Sequence, residues 1–289
     1  MSGNRTVSRT VSGESSAWAI IHIFGNRILR PAALRSTLSI FKNFFLLQYK
    51  AVLLPGRYPI SRADHFLDEK IPFSPDRVDT YLDFLHFFIR VQGFLMRVLG
   101  RKSALPVENF IKSLGRAYQT AAGVYSRNFS TTARPDYRAR FRFLVIHAFD
   151  PHLMCIPSLH VMVVIMIYTM FRKTIRDLGR EQEFAGQTEA VRLHALAITE
   201  AVLYVKQHSV NCIPAAMYAM TCFGDFFPPG EAEAFAKDIF RDATDIPEED
   251  IKAIREHIIG LYRTFLDQSL KSSSWEKPLL DFLKTLPQV

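Results

Sequence analysis

Tyr81-Leu82-Asp83-Phe84-Leu85-His86-Phe87-Phe88-Ile89-Arg90-Val91-Gln92-Gly93-Phe94-Leu95-Met96-Arg97-Val98-Leu99 sets the fold class of this chain. Its apolar residues recur at Tyr81-Leu82, Phe84-Leu85, Phe87-Phe88, Val91, Phe94-Leu95 and Val98-Leu99, three and four positions apart. That is the period of a helix with one buried face. Strand-like alternation is sparse elsewhere, so the class is all-α. The 289 residues are 48% hydrophobic and include 24 phenylalanines, ample for a packed core and unlike a disordered chain. A chain of this length forms one large helical domain or two.

A second stretch carries chemistry as well as structure. Pro157-Ser158-Leu159-His160 leads into Val-Met-Val-Val-Ile-Met-Ile-Tyr-Thr-Met-Phe and ends at Arg172-Lys173. Ser158 is a candidate N-cap for that apolar helix. The unpaired N–H groups and the dipole at such a terminus suit an anion beside His160. Upstream lie Arg127 and, after six intervening residues, Arg134-Pro135; downstream lies Lys206-Gln207-His208. Together these supply two imidazoles and three fixed cations. A phosphoryl group in transfer needs charge stabilisation and positioning above all. Arg127, Arg134 and Lys206 can neutralise the phosphate, His208 can attack phosphorus, and His160 can protonate the departing oxygen. Taken singly, His160 reads more readily as a hydrogen-bonded core histidine and Lys206-Gln207-His208 as a polar link between helices; only jointly do they point to a site. His147 and His152 flank Asp150, but their spacing lacks a third ligand, so they read as structural or substrate-facing. Asp150 precedes Pro151 and starts the turn into the second motif.

In their order these motifs resemble the type 2 phosphatidic acid phosphatase and haloperoxidase superfamily, whose pattern is Lys-x6-Arg-Pro, then Pro-Ser-Gly-His, then Ser-Arg-x5-His-x3-Asp. Arg127 to Pro135 fits the first element with arginine for lysine, and Pro157 to His160 fits the second with Leu159 for glycine. Leu159 keeps its backbone N–H but adds bulk where a substrate approaches. Lys206-Gln207-His208 is similar to the variant of the lipid phosphotransferase branch, where Pro-Ser-Leu-His also occurs. The resemblance covers roughly residues 120–226 and rests on the ordered trio. It implies a helical bundle of that superfamily and a metal-independent phosphatase or phosphotransferase working through a phosphohistidine at His208. The substrate class it implies is a phosphate monoester or lipid phosphate, bound by Arg127, Arg134, Ser158, Leu159 and Lys206. No metal or other cofactor is implied, although vanadate fits such a pocket as a phosphate mimic and opens a narrower, oxidative possibility. One departure stands out. The family's aspartate, which orients the nucleophilic histidine, falls at Cys212, and Asn211 sits one place early. Asn211 and Cys212 are the candidates for that orienting role.

Charge divides the chain unevenly. Residues 1–63 hold nine basic side chains (Arg5, Arg9, Arg27, Arg30, Arg35, Lys42, Lys50, Arg57, Arg62) against Glu14, and so carry the whole net charge of +8. Residues 1–16, polar and rich in Ser, Thr and Arg, are expected to be disordered. From Ala17 to Leu54 the basic residues interleave with Trp18, Ile20, Ile21, Ile23, Phe24, Phe41, Phe44 and Phe45, a composition suited to an anionic membrane surface or to a solvated helix face. No nucleic-acid module is recognisable. Two stretches, Pro151–Phe171 and Gln207–Gly224, lack Lys, Arg, Asp and Glu and reach spanning length, but the first contains Pro157 and two histidines and the second Asn211 and Pro214. The expectation is a membrane-associated helical bundle, with a cytoplasmic protein as the alternative. The early apolar run ends in Gly25-Asn26-Arg27 without a cleavage pattern.

The three cysteines, Cys155, Cys212 and Cys222, are too few and too apolar in context for a disulfide scaffold. Beyond Pro228-Pro229 the chain becomes charged. Asp245-Ile246-Pro247-Glu248 starts a helix with acids in its first turn, and Ile251, Ile254, Ile258, Leu261 and Phe265 form its stripe. The expected organisation is a basic disordered segment (1–16), a helical phosphatase-like domain (17–228) and a helical appendage (229–289). Two functions from different classes fit: the phosphotransfer enzyme, or a catalytically impaired membrane-associated binding or structural protein of the same fold.

Overall fold

The computed structural model describes residues 9–137 and 141–289. Among them run α1 (Ser16–Gly25), α2 (Leu29–Ile40), α3 (Leu47–Leu53), β1 (Ile60–Arg62), α4 (Val78–Leu82), α5 (Phe84–Leu99) and α6 (Ala104–Tyr125). There follow β2 (Phe129–Thr131), α7 (Phe141–Phe149), α8 (Leu159–Asp177), α9 (Ala185–Tyr204) and α10 (Cys212–Phe223). The last are α11 (Pro229–Asp238), α12 (Glu248–Ser269) and α13 (Lys277–Thr285). The all-α class is what the periodicity predicts.

The bundle is organised around α8. Leu159, every residue from Val161 to Thr169, Phe171 and Ile175 are buried, so this helix is apolar on all sides because it is covered on all sides. Helices α5, α6, α9 and α10 surround it. Each fully buried Val, Ile or Phe of such a helix contributes about 1.5–3 kcal/mol. This accounts for the charge-free stretch 151–171 without a bilayer: its first eight residues form the approach to the helix, and the remainder is the protein's own core. The second stretch is likewise divided, with only Cys212–Phe223 helical. Among the described residues, no helix is long and apolar enough to cross a membrane.

The periodic stretch that fixes the class is interrupted at Asp83. There the carboxylate accepts hydrogen bonds from Arg90 Nη1 at 2.9 Å and His194 Nε2 at 2.6 Å, pairing charges that would otherwise interrupt an apolar face. Burial alone would raise the pKa of Asp83, but these donors hold it to about 2.

One expectation needs correction. Over residues 9–15 the N-terminal segment is folded, not disordered: Val11 and Glu14 are buried, and Glu14 pairs with Arg9 and, at 3.0 Å, with Arg97. Residues 1–8 lie outside the described residues. The C-terminal helices bury Ile251, Ile254, Ile258 and Phe265, with Leu261 half-buried against the core and Tyr262 buried beside them. They are also tied in at their end. Val289 N–H donates to Ile60 O at 2.9 Å and Arg62 N–H to Pro287 O at 2.7 Å, adding the chain end to β1, which pairs in parallel with β2.

Helices α2 and α6 approach closely at a glycine. Ser39 Oγ donates to Gly115 O at 3.0 Å, and a Cβ on Gly115 would lie 3.1 Å from Ser36 Cα. Because that neighbour is backbone, it cannot swing aside. Gly115→Ala is therefore expected to destabilise the fold by about 1–3 kcal/mol despite alanine's better helix propensity. Urea denaturation checks this; a neutral or stabilised variant would mean that α2 is free to shift.

Candidate functional site: a pocket of buried imidazoles

The approach to α8 is built by hydrogen bonds from β2. Ser130 N–H donates to Leu153 O at 3.0 Å, Cys155 N–H to Ser130 O at 3.2 Å, and Ile156 N–H to Ser130 Oγ at 2.7 Å. Tyr125 OH donates to Pro157 O. So braced, the chain enters α8 at Ser158, whose Oγ accepts the Val161 N–H at 3.4 Å as the N-cap the sequence predicts. His160 then sits on the first turn, stacked on Tyr81 with ring centroids 4.5 Å apart and flanked by Phe84 at 4.4 Å.

His208 arrives from the end of α9. Lys206 N–H donates to Leu203 O and Gln207 N–H to Val202 O, the paired bonds of a Schellman cap, with Lys206 in the left-handed region at φ +55°. The reversal sends neighbouring side chains in opposite directions. Lys206 turns outward, its ammonium donating to the carbonyls of Asp68 and Ile71, while His208 turns inward. His208 Nε2 lies 3.3 Å from His160 Nδ1. The two imidazoles thus meet as the motif order predicts.

They open on a cavity of about 280 Å³ whose walls are mostly apolar, including Phe44, Leu85, Tyr118 and Leu159. His152 and Asp150 complete its polar end. His152 Nε2 is hydrogen-bonded with Thr132 Oγ1 at 2.7 Å, and Asp150 Oδ1 accepts the His152 N–H at 2.9 Å in the expected turn. Arg134 reaches the same end, donating to Asp150 Oδ2 at 3.0 Å and to Asp150 O at 3.1 Å.

Of the residues expected to form the site, His160, His208 and Leu159 line the cavity, Arg134 stands behind Asp150, and Ser158 is buried as the cap of α8. The other two cations lie elsewhere. Arg127 is exposed in the turn after α6, and Lys206 borders a separate, open depression with Arg62, Asp64 and His65. The orienting candidates also diverge from expectation. Asn211 Oδ1 accepts from His257 Nε2 at 2.8 Å and its Nδ2 donates to Ala63 O, so Asn211 positions His257 instead of His208. Cys212 is buried, its thiol pushed far up by desolvation and hence neutral. Among the described residues His208 Nδ1 is buried without a hydrogen-bond partner of good geometry, although the Cys155 backbone lies close enough to favour its protonation.

Electrostatics keep the imidazoles neutral. Burial lowers His160 to about 4, with Asp150 opposing and Arg134 reinforcing that shift. His208 is held well below the ordinary histidine range by burial, then by His160 and Arg134; His152 falls likewise through burial and Arg134. Among the described residues, no three His, Cys, Asp or Glu side chains are arranged to hold a metal ion.

Nothing in the sequence marks Tyr81, Phe84, Tyr118 or Phe44 as pocket residues. Tyr81 and Phe84 belong to the helical stripe that fixes the fold class, and periodicity does not separate a core side chain from a pocket wall. No protein-family model, curated protein or solved structure matches this chain.

Two expectations follow. Histidines with lowered folded pKa bind fewer protons folded than unfolded, so stability is complete above about pH 6.5 and declines as pH falls, by about 1.4 kcal/mol per pH unit for each such group. His160, His208, His152 and His257 all act in this direction; Asp68 and Glu200, raised by burial, oppose it towards the acid end. Urea midpoints should fall from pH 7 to 5, less steeply in His160→Phe; a flat wild-type profile would refute neutral burial. Separately, Lys206→Met should lower stability by about 1–3 kcal/mol through its two abandoned carbonyls, while leaving phosphate or vanadate affinity unchanged. A selective loss of anion affinity would return Lys206 to the site.

Proposed function

We propose that the pocket is a phosphoryl-transfer site for an amphiphilic phosphate ester, working through His208 and His160 and needing no metal. The observation that carries this reading is the juxtaposition of His208 Nε2 and His160 Nδ1, 3.3 Å apart, in an apolar cavity beside Arg134. It is supported by the ordered resemblance to the type 2 phosphatidic acid phosphatase and haloperoxidase superfamily, and by cavity walls suited to acyl or other hydrocarbon chains.

In the proposed reaction the substrate's phosphorus displaces the hydrogen bond between the two rings. The lone pair on His208 Nε2 forms a P–N bond as the ester P–O bond breaks, and the departing oxygen takes a proton from His160. Water or an acceptor alcohol then gives His160 a proton as its oxygen bonds phosphorus and the P–N bond breaks. Arg134 is the cation at hand, and Asp150 already neutralises it. The empty pocket therefore lacks a net charge to hold a dianion, and favours a singly charged phosphate, either a diester or a protonated monoester. Because His160 is neutral until an anion enters, binding draws in a proton.

A second reading, a binding pocket without turnover, is favoured by one specific observation: the unpartnered Nδ1 of His208 where the superfamily supplies a carboxylate. The two separate experimentally. Wild type should hydrolyse a lipid phosphate with EDTA present, faster near pH 5.5 than pH 8. His160→Ala should lose about 10²–10⁴-fold and His208→Ala all activity above background. Cys212→Asp, checked for folding alongside Cys212→Asn, should raise the rate by giving His208 an orienting carboxylate. Calorimetry of vanadate binding in two buffers of different ionisation enthalpy should report proton uptake. Vanadate binding without turnover by wild type or Cys212→Asp on any phosphate ester would establish the second reading, and dependence on an added divalent ion would replace both histidine roles with metal-assisted hydrolysis.

A further inference from the structure

The largest feature the site leaves unexplained is the outer face of the helix from Leu29 to Leu53. Helices α2 and α3 are continuous through a π-helical turn at Phe41–Leu46, a register shift of the kind frequent at functional sites. Its inner face, with Leu29, Ala32, Ala33, Ser36, Gln48 and Ala51 buried, is fixed against the bundle. The opposite face is apolar yet uncovered. Leu34, Leu38, Phe41, Leu46 and Leu53 are between 51% and 76% exposed, at helical spacing. A soluble surface seldom presents such a stripe without something to cover it.

Charge identifies the cover. Arg30, Arg35, Lys42 and Lys50 on this helix, with Arg27 before it and Arg57 after it, are all exposed, and no Asp or Glu occurs from Ser15 to Ala63. Hydrocarbon-seeking side chains interleaved with cations, without a single compensating acid, match the interface of a bilayer carrying anionic lipid. They match a second copy of the same basic face poorly, because two such surfaces repel. The stripe also adjoins the cavity. Ile40, Phe44 and Phe45, on the π-helical turn and just before it, line the pocket that holds His160 and His208.

We infer that the Leu29–Leu53 helix is a membrane-docking face, lying in the headgroup region of an anionic leaflet with Leu34, Leu38, Phe41, Leu46 and Leu53 inserted. Docking brings the mouth at Ile40, Phe44 and Phe45 to the lipid. The docking itself stands on the surface alone; the delivery of an amphiphile to the histidines rests on the proposed function. No spanning segment is required.

Sedimentation of the full chain with vesicles tests it. The protein should bind vesicles of phosphatidylcholine with phosphatidylglycerol, bind phosphatidylcholine alone far less, and release in high salt. Leu38→Glu with Phe41→Glu, both outside the pocket lining, should weaken binding about tenfold or more while keeping the wild-type circular dichroism and melting temperature. Arg35→Glu with Lys42→Glu should abolish the preference for anionic vesicles. Turnover of a water-soluble phosphate ester should be unchanged in the Leu38/Phe41 variant, so that loss of docking and failure of the phosphotransfer reading are distinguished. Absence of wild-type binding to anionic vesicles would overturn the inference, as would undiminished binding by the Leu38/Phe41 variant. A wild-type dimer that binds no vesicles and that the same variant dissociates would assign the face to a second copy instead.

Discussion

Lys206 adopts a backbone conformation that costs a residue with a Cβ about 1–2 kcal/mol, and the end of α9 depends on it. The left-handed turn closes the helix with two backbone hydrogen bonds, swings the Lys206 ammonium onto the carbonyls of Asp68 and Ile71, and turns His208 inward. The turn itself is closed by backbone groups alone, and the ammonium adds bonds on its outer side. Val210 N–H then donates to Asp68 Oδ1 at 2.8 Å, so the same short segment anchors both sides of the reversal. Everything the pocket presents at His208 follows from this cap.

The second determinant is desolvation. An imidazole pair in water would share protons with its surroundings near neutral pH, whereas here burial disfavours the charged form of both rings, and each cation already nearby adds to the penalty. The imidazoles of the pocket are consequently neutral, and in the proposed reaction an entering anion would reverse the sign of the local potential. A site built this way couples occupancy to protonation without any moving element.

The sequence made the fold class and half of the site legible, and the reasons are local. Ser158 as a cap and His160 on the first turn of α8 depend only on neighbouring residues, and the all-round apolarity of that helix is visible in its composition. What the sequence hid was the direction of side chains at a chain reversal. Lys206-Gln207-His208 reads as one motif, yet a left-handed residue within it points lysine and histidine apart, and lysine is an unusual occupant of that conformation. Asn211 was similarly ambiguous, because its partner His257 is 46 residues away, on a helix packed by tertiary contacts. The charge-free stretches reach spanning length for a physical reason too: the centre of a large helical bundle and the interior of a bilayer ask for the same side chains.

The last residues of the chain bear on how the molecule is assembled. Gln288 Nε2 donates to Ser61 Oγ across 227 positions, and Ser61 in turn lies in the strand beside β2, whose Ser130 braces the loop into α8. Residues 287–289 occupy the open edge of β1, so the brace beneath the histidine pocket is completed by a contact that spans 227 positions of sequence. Closing so distant a contact is slow compared with forming helices. The strand edge beneath the pocket is therefore completed later than the helices that carry the histidines, because it waits on partners remote in sequence.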